Sequence, residues 1–169
     1  MLNAESSTPI LSLSPCTDDH EALSGILQPY EWTMHRASTL ADSTQLLQRH
    51  SIGVIVCDRD LPPHSWKDLL LEVAALPKPP LIIVTSRHAD DYLWAEALNL
   101  GAYDVLPKPF DAAEVRRTVR IAALHWQWNG EPALPPLVKV AGASGAHRVE
   151  RKAFTGGRAK RSRSSHSGA

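Results

Sequence analysis

The chain has 169 residues, 43% of them hydrophobic and 21% charged, and its formal net charge is zero. That length and balance fit one globular domain with additional chain, and a core that needs no disulfide or metal to hold it. They exclude a collagenous, disulfide-stapled or membrane-spanning class: there are two cysteines, and no stretch nears the ~20 apolar residues of a span.

Cys16 and Cys57 each lie in or beside an apolar run, and their spacing fits no metal motif. Both are read as small buried hydrophobes in a reducing compartment. No secretory signal is visible, so a cytoplasmic location is the default. The neutral total hides an asymmetry. From Lys139 to Ala169 there are eight Lys/Arg and one acid, Glu150. With eighteen of each sign in the chain, ten basic and seventeen acidic residues remain before Lys139. An acidic body therefore carries a basic tail.

The N-terminal arm, 1–8, has no pattern. Pro9 to Ser14 holds an apolar run that Pro15 stops. Asp18 to Leu27 reads as a helix with acids in its first turn, where the dipole favours them. Trp32 to Ala37 is a strand of mixed polarity, and Leu40 to Arg49 a helix with Leu40, Leu46 and Leu47 on one face. Ile52 to Cys57 is a near-continuous β-branched run, as a strand buried on both faces requires. After Pro62-Pro63 a helix runs from Ser65 to Leu76, with Ser65 as N-cap, Asp68 three residues on, and an apolar stripe of Leu69, Leu70, Val73 and Leu76. Leu81 to Thr85 is another buried strand. Asp90 to Leu100 is helical and Gly101 ends it. Ala102 to Leu106 is a fifth strand. Asp111 caps a last helix that reaches Trp126, and Trp126 and Trp128 are expected to close that helix against the body. From Asn129 the pattern stops, and 129–169 reads as a disordered, Pro/Gly/Arg-rich tail.

Five strands alternating with five helices imply an α/β fold of parallel βαβ units with right-handed crossovers. The expected architecture is a doubly wound five-stranded sheet over 9–128, flavodoxin-like in its order 2-1-3-4-5, with helices on both faces. In such sheets the chemistry sits outside the carboxyl ends of the strands. That rule selects three residues. Asp58 follows the third strand, Thr85 ends the fourth, and Lys108 follows the fifth. A carboxylate, a hydroxyl and an ammonium on one rim can accept a phosphoryl group, with the cation and the hydroxyl serving its oxygens.

The residues that carry this chemistry also carry a resemblance. Val54-Ile55-Val56-Cys57-Asp58 with Pro62, Ile82-Ile83-Val84-Thr85-Ser86, and Gly101-Ala102-Tyr103-Asp104-Val105-Leu106-Pro107-Lys108-Pro109-Phe110 occur in order on the right strands. From Pro9 to Trp126 the chain resembles a response-regulator receiver domain. The resemblance implies a phosphoacceptor at Asp58, a phosphoryl-sensing hydroxyl at Thr85 and a counter-charge at Lys108. It also implies a Lys108-Pro109 bond that is often cis. Members take a phosphoryl group from a histidine kinase or phosphotransfer protein with Mg²⁺ and then change affinity for a downstream protein. The metal would rest on Asp58 and the backbone carbonyl of Asp60.

Two departures mark an atypical member. The family's acid pair at the end of the first strand falls on Leu13 and Ser14, so the Mg²⁺ site is incomplete. Asp18 and Asp19 are read as first-turn helix residues that reach a cation only through water. The family's switch aromatic falls on Val105, and Tyr103, two residues earlier, is expected on the same strand face. His64 and His88 read as solvated loop residues.

The favoured reading is a single-domain, non-enzymatic receiver that signals by protein–protein contact, with no output domain following it. Two alternatives stand beside it. One is a phosphorylation-independent pseudo-receiver used as an interaction module. The other is an accessory protein that binds nucleic acid through the basic tail. No Gly-rich phosphate loop, nucleophile elbow or metal cluster points to an enzyme, and no membrane partner is expected.

Overall fold

A run of β-branched residues buried on both faces needs a sheet with helices above and below it, and that is what forms. The computed structural model describes residues 8–30 and 32–128. Its elements in chain order are β1 (Ile10–Leu13), α1 (Thr17–Leu27), β2 (Met34–Ala37), α2 (Leu40–Arg49), β3 (Val54–Asp58), β4 (Asp60–Leu61), β5 (His64–Ser65), α3 (Trp66–Ala74), β6 (Leu81–Ser86), α4 (Asp91–Leu100), β7 (Asp104–Pro107) and α5 (Ala112–Gln127). A 3₁₀ turn, Gln28–Tyr30, follows α1. The main sheet is parallel and ordered β2-β1-β3-β6-β7. Counting only its five strands, this is the expected flavodoxin-like order.

The pleat sends alternate side chains to opposite faces. Leu11, Leu13, Ile55, Cys57, Ile82 and Val84 join Leu40 of α2, Trp66 and Leu69 of α3, and Leu93 and Ala97 of α4. Ile10, Val54, Val56, Ile83 and Leu106 join Leu23 and Leu27 of α1 and Val115 and Val119 of α5. Each Leu, Ile or Val so buried stabilises the fold by about 1.5–3 kcal/mol before entropy is counted.

The capping expectations are met. Ser65 and Asp68 form a full capping box at α3, and Asp111 accepts the N–H of Glu114; Asp90, read as the first helical residue, is instead the N-cap of α4 and accepts the N–H of Leu93. Gly101 ends α4 at φ 104°, the left-handed region that only glycine enters at low cost. The small β4–β5 hairpin is an addition that the Pro62-Pro63 break did not announce.

Several boundaries and packing expectations change. β3 ends on Asp58, one residue later than expected, because its ladder with β6 continues to the pair Asp58–Thr85. β7 begins at Asp104, not Ala102. The Ala102 N–H still bonds the Ala97 carbonyl of α4, so the chain is leaving the helix there. Tyr103 consequently precedes the strand. It packs with the α1/α5 cluster, on the face opposite Val105, which packs with the α4 cluster. Cys57 is buried, but Cys16 is only half-buried. Trp126 does pack on the body: its Nε1 donates to the Pro79 carbonyl at 3.1 Å and Lys78 Nζ lies 3.7 Å over its ring. Trp128 does not, being 73% exposed.

Trp126 also explains a glycine. A Cβ on Gly53 would lie 2.2 Å from Thr8 Cγ2 and 2.7 Å from two ring carbons of Trp126. Gly53→Ala is therefore expected to lower stability by about 1–3 kcal/mol. Urea unfolding would show it, and an unchanged midpoint would contradict it. Of the arm read over 1–8, residues 1–7 lie outside the described residues while Thr8 is buried; the disordered basic tail read over 129–169, with its nucleic-acid reading, also lies outside them.

Candidate functional site

The sheet register sets the rim. Leu13 pairs with Cys57, Asp58 with Thr85, and Thr85 with Leu106. Ser14, Asp58, Thr85 and Lys108 therefore stand at the carboxyl ends of four adjacent strands. The N–H groups of Ser14 and Lys108 bond the carbonyls of Ala37 and Ser86, at 3.1 and 2.8 Å, which carries the order one step beyond the strands. The Lys108-Pro109 peptide is cis, as the resemblance implied.

Lys108 and Asp58 meet as expected, with Nζ donating to Asp58 Oδ2 at 2.6 Å. The same ammonium donates to Asp19 Oδ2 at 2.5 Å. The three side chains are 9%, 15% and 13% exposed, so these are largely dehydrated contacts. Burial alone would lower the pKa of Lys108. The hydrogen bonds from its ammonium to Asp19 and Asp58, and their charges, outweigh burial and raise it.

Ser14 ties the two carboxylates together. Its hydroxyl donates to Asp19 Oδ2 at 2.6 Å and lies 3.4 Å from Asp58 Oδ2. One proton cannot serve both fully, and the shorter bond to Asp19 dominates. The same oxygen accepts the Cys16 N–H at 3.1 Å. Asp58 Oδ1 accepts the Asp60 N–H at 3.3 Å.

The remaining expected residues divide. Thr85 is buried, and its hydroxyl donates to the Cys57 carbonyl across a long 3.4 Å. The structure thus sets Thr85 beside Asp58 in the ladder but turns its hydroxyl to the backbone. Asp60 is exposed, 3.9 Å from Arg59 Nε. Asp18 and Asp19 both sit in the first turn of α1. Asp18 faces a cleft of about 350 Å³ that Asp19, Arg87, Lys108 and Phe110 also line. Asp19 contacts the site directly, where only a water-mediated reach was expected. His64 and His88 are exposed.

His20 was not singled out from the sequence. It is buried, with Nε2 3.0 Å from the Ser14 carbonyl and Nδ1 2.7 Å from Ser12 Oγ. A carbonyl only accepts, so Nε2 carries the proton and Nδ1 accepts from Ser12. Burial first, opposed by the Ser14 bond, lowers its pKa and keeps it neutral. It pins the Ser14 backbone. Its spacing with Leu23 and Leu27, on the buried face of α1, was the signal available. Tyr103 Oη and His125 Nδ1 lie 2.8 Å apart, and burial pushes the phenol to about 12. Burial, then the Asp58 charge, pushes the Cys57 thiol up, so it is an inert core residue.

The family's Mg²⁺ fits these residues poorly. Asp19 and Asp58 share one ammonium that already neutralises both in part, and Asp18 only lines the adjoining cleft. A neutral hydroxyl stands where an acid is expected. Among the described residues no three His, Cys, Asp or Glu are grouped to hold a metal.

A five-stranded doubly wound sheet with an aspartate, a hydroxyl and a lysine on its carboxyl rim defines a receiver-type domain. The comparisons agree. The response regulator receiver domain family matches residues 17–120, and the chain belongs to that family. Regulatory protein VirG of Agrobacterium tumefaciens is 30% identical over 110 residues, 62% of this chain and 41% of that protein. Transcriptional regulatory protein FixJ of Azorhizobium caulinodans is 43% identical over 68 residues, 40% of this chain and 32% of that protein. The chain thus spans less than half the length of these relatives. The signal receiver domain of an HD domain-containing protein from Pseudomonas fluorescens superposes with a TM-score of 0.66 at 25% identity, covering 72% of this chain and 90% of that one. The family works in phosphorelay signalling. Among the described residues no helix is long and apolar enough to cross a membrane.

Proposed function

We propose that this domain accepts a phosphoryl group on Asp58 and signals through protein–protein contact, as an atypical receiver. The observation that carries the reading is the dehydrated Lys108–Asp58 pair at the carboxyl rim. In the step itself an Asp58 carboxylate oxygen attacks phosphorus. The bond from phosphorus to the donor's leaving group breaks, and that group leaves with the electron pair and takes a proton from solvent. Lys108 keeps its proton and balances charge on the phosphoryl oxygens. Thr85 needs only to give up a long hydrogen bond to turn its hydroxyl toward the new group. A phosphohistidine of a kinase or phosphotransfer protein is the donor class that the family suggests.

The output surface is proposed on α4 and α5. Tyr92 and Leu98 of α4, Ile121 and Leu124 of α5, and Trp128 just beyond it are exposed. Residues 121, 124 and 128 fall at helical spacing on one face. Val105 is fully buried in the α4 cluster, so signalling here does not use a rotating aromatic at that position.

Incubation with acetyl phosphate followed by intact-mass measurement tests the acceptor. The wild-type chain is expected to gain one phosphoryl mass, and Asp58→Asn to gain none. A wild type that stays unmodified under every condition supports the pseudo-receiver reading instead.

A further inference from the structure

Every acid-rich pocket has to balance its charge, and the usual receiver does so with a divalent cation. This pocket is built otherwise. Asp19 and Asp58 contribute two negative charges and Lys108 one positive, while Asp18 and Arg87 of the adjoining cleft offset each other, which leaves one net negative charge. A strand-end acid pair beside the same aspartate and lysine would leave two. The position that should carry the second acid is Ser14, buried and neutral, whose proton already satisfies Asp19.

The geometry goes further than a missing ligand. Lys108 Nζ lies 2.5 Å from one carboxylate and 2.6 Å from the other. It occupies the point between the two anions from which a cation serves both. An ammonium tethered to the chain is present at high effective concentration and carries no loss of translational freedom when it pairs. Mg²⁺, which one or two carboxylates can hold with several waters kept, would first have to displace that ammonium from both. Asp19 comes from α1, so the pocket recruits its second acid from a helix instead of a strand end. His20, next in sequence and pinned to Ser14 and Ser12, fixes that turn.

We infer that the Lys108 ammonium, shared by Asp19 and Asp58, is the resident cation of this pocket in place of a divalent ion, and that phosphoryl acceptance here is independent of Mg²⁺. The second half rests on Asp58 being the acceptor; the first half does not.

Two measurements on the wild-type chain separate these. In a Mg²⁺ titration followed by backbone amide NMR, the signals of Ser14, Asp19 and Asp58–Asp60 are expected to show no saturable shift up to millimolar concentration. Saturable shifts at or below that level overturn the resident-cation inference. In the acetyl phosphate assay, rates in Mg²⁺ and in EDTA are expected to agree within about twofold. A rate that falls more than tenfold in EDTA overturns metal independence while leaving Asp58 as the acceptor. No modification in either condition, with no Mg²⁺ shift, sinks the acceptor reading and the independence claim but supports the lysine as resident cation. Ser14→Asp adds the missing charge and is expected to gain saturable Mg²⁺ binding. If it folds and gains none, Ser14 is not the reason the wild type lacks it, and the charge argument fails.

Discussion

Lys108→Met is expected to lower stability by about 3–5 kcal/mol at neutral pH, because it leaves two carboxylates buried together without a cation. Asp19 and Asp58 are 13% and 15% exposed, so water cannot take over the role of the ammonium without the pocket opening. An exposed pair would lose only about 0–1 kcal/mol, and that range is the result that contradicts the account. The sign of the pH dependence follows from the raised pKa of Lys108. A raised cationic pKa stabilises the fold fully below the ordinary lysine value, and the contribution disappears as pH climbs through the folded value above it. The gap between wild type and variant should therefore be flat across neutral pH and close as alkali deprotonates the lysine. A double-mutant cycle isolates the cause. Asp19→Asn should destabilise the wild type but should be neutral or stabilising once Lys108 is methionine, because it then removes a repulsion. Simple additivity of the two losses would show that Asp19 and Lys108 do not act on each other.

That cycle turns on Asp19, a residue whose contact the sequence did not reveal, and the reason is physical. Strands are marked by composition, and their ends follow from βαβ topology. Strand composition and topology therefore suffice to put Asp58, Thr85 and Lys108 on one rim. The capping box at Ser65 and the stop at Gly101 were legible for a similar reason: each is a local rule about backbone hydrogen bonds. Asp19 obeys a local rule too, as an acid in a first helical turn. That rule says only that the acid is tolerated there, not that its carboxylate leans across the rim to a lysine 89 residues away. Ser14 could be noticed only as an absent acid. Its positive role, a hydroxyl bonded to Asp19, depends on how β1 meets α1 in space. Tyr103 shows the complementary error. A two-residue step keeps a side chain on one face only within a strand, and Tyr103 lies just before β7 begins.

Trp66 is the largest core residue that the sequence reading passed over, and Trp66→Ala is expected to cost about 3–5 kcal/mol. The helical stripe drawn through Leu69, Leu70, Val73 and Leu76 omitted it, although Leu70 and Leu76 prove only partly buried and Trp66 is 1% exposed. It opens α3, and its N–H reaches back to the Arg59 carbonyl at 3.3 Å, across the hairpin that begins two residues after Asp58. With Leu61 it belongs to the apolar cluster that includes Leu13 and Cys57, directly beneath the rim. Truncation would leave a cavity there, and the structure would relax toward it from the segment with least support of its own, the two-residue strands β4 and β5. Ser65→Ala is the control. It removes a cap one residue away at about 1 kcal/mol and opens no cavity. Urea unfolding should separate the two variants clearly. Amide exchange over 59–65 should accelerate in Trp66→Ala by more than global destabilisation accounts for, because the indole shares its buried cluster with Leu61 of that hairpin. Losses of equal size in the two variants would mean that the cap, and not the buried indole, secures that hairpin.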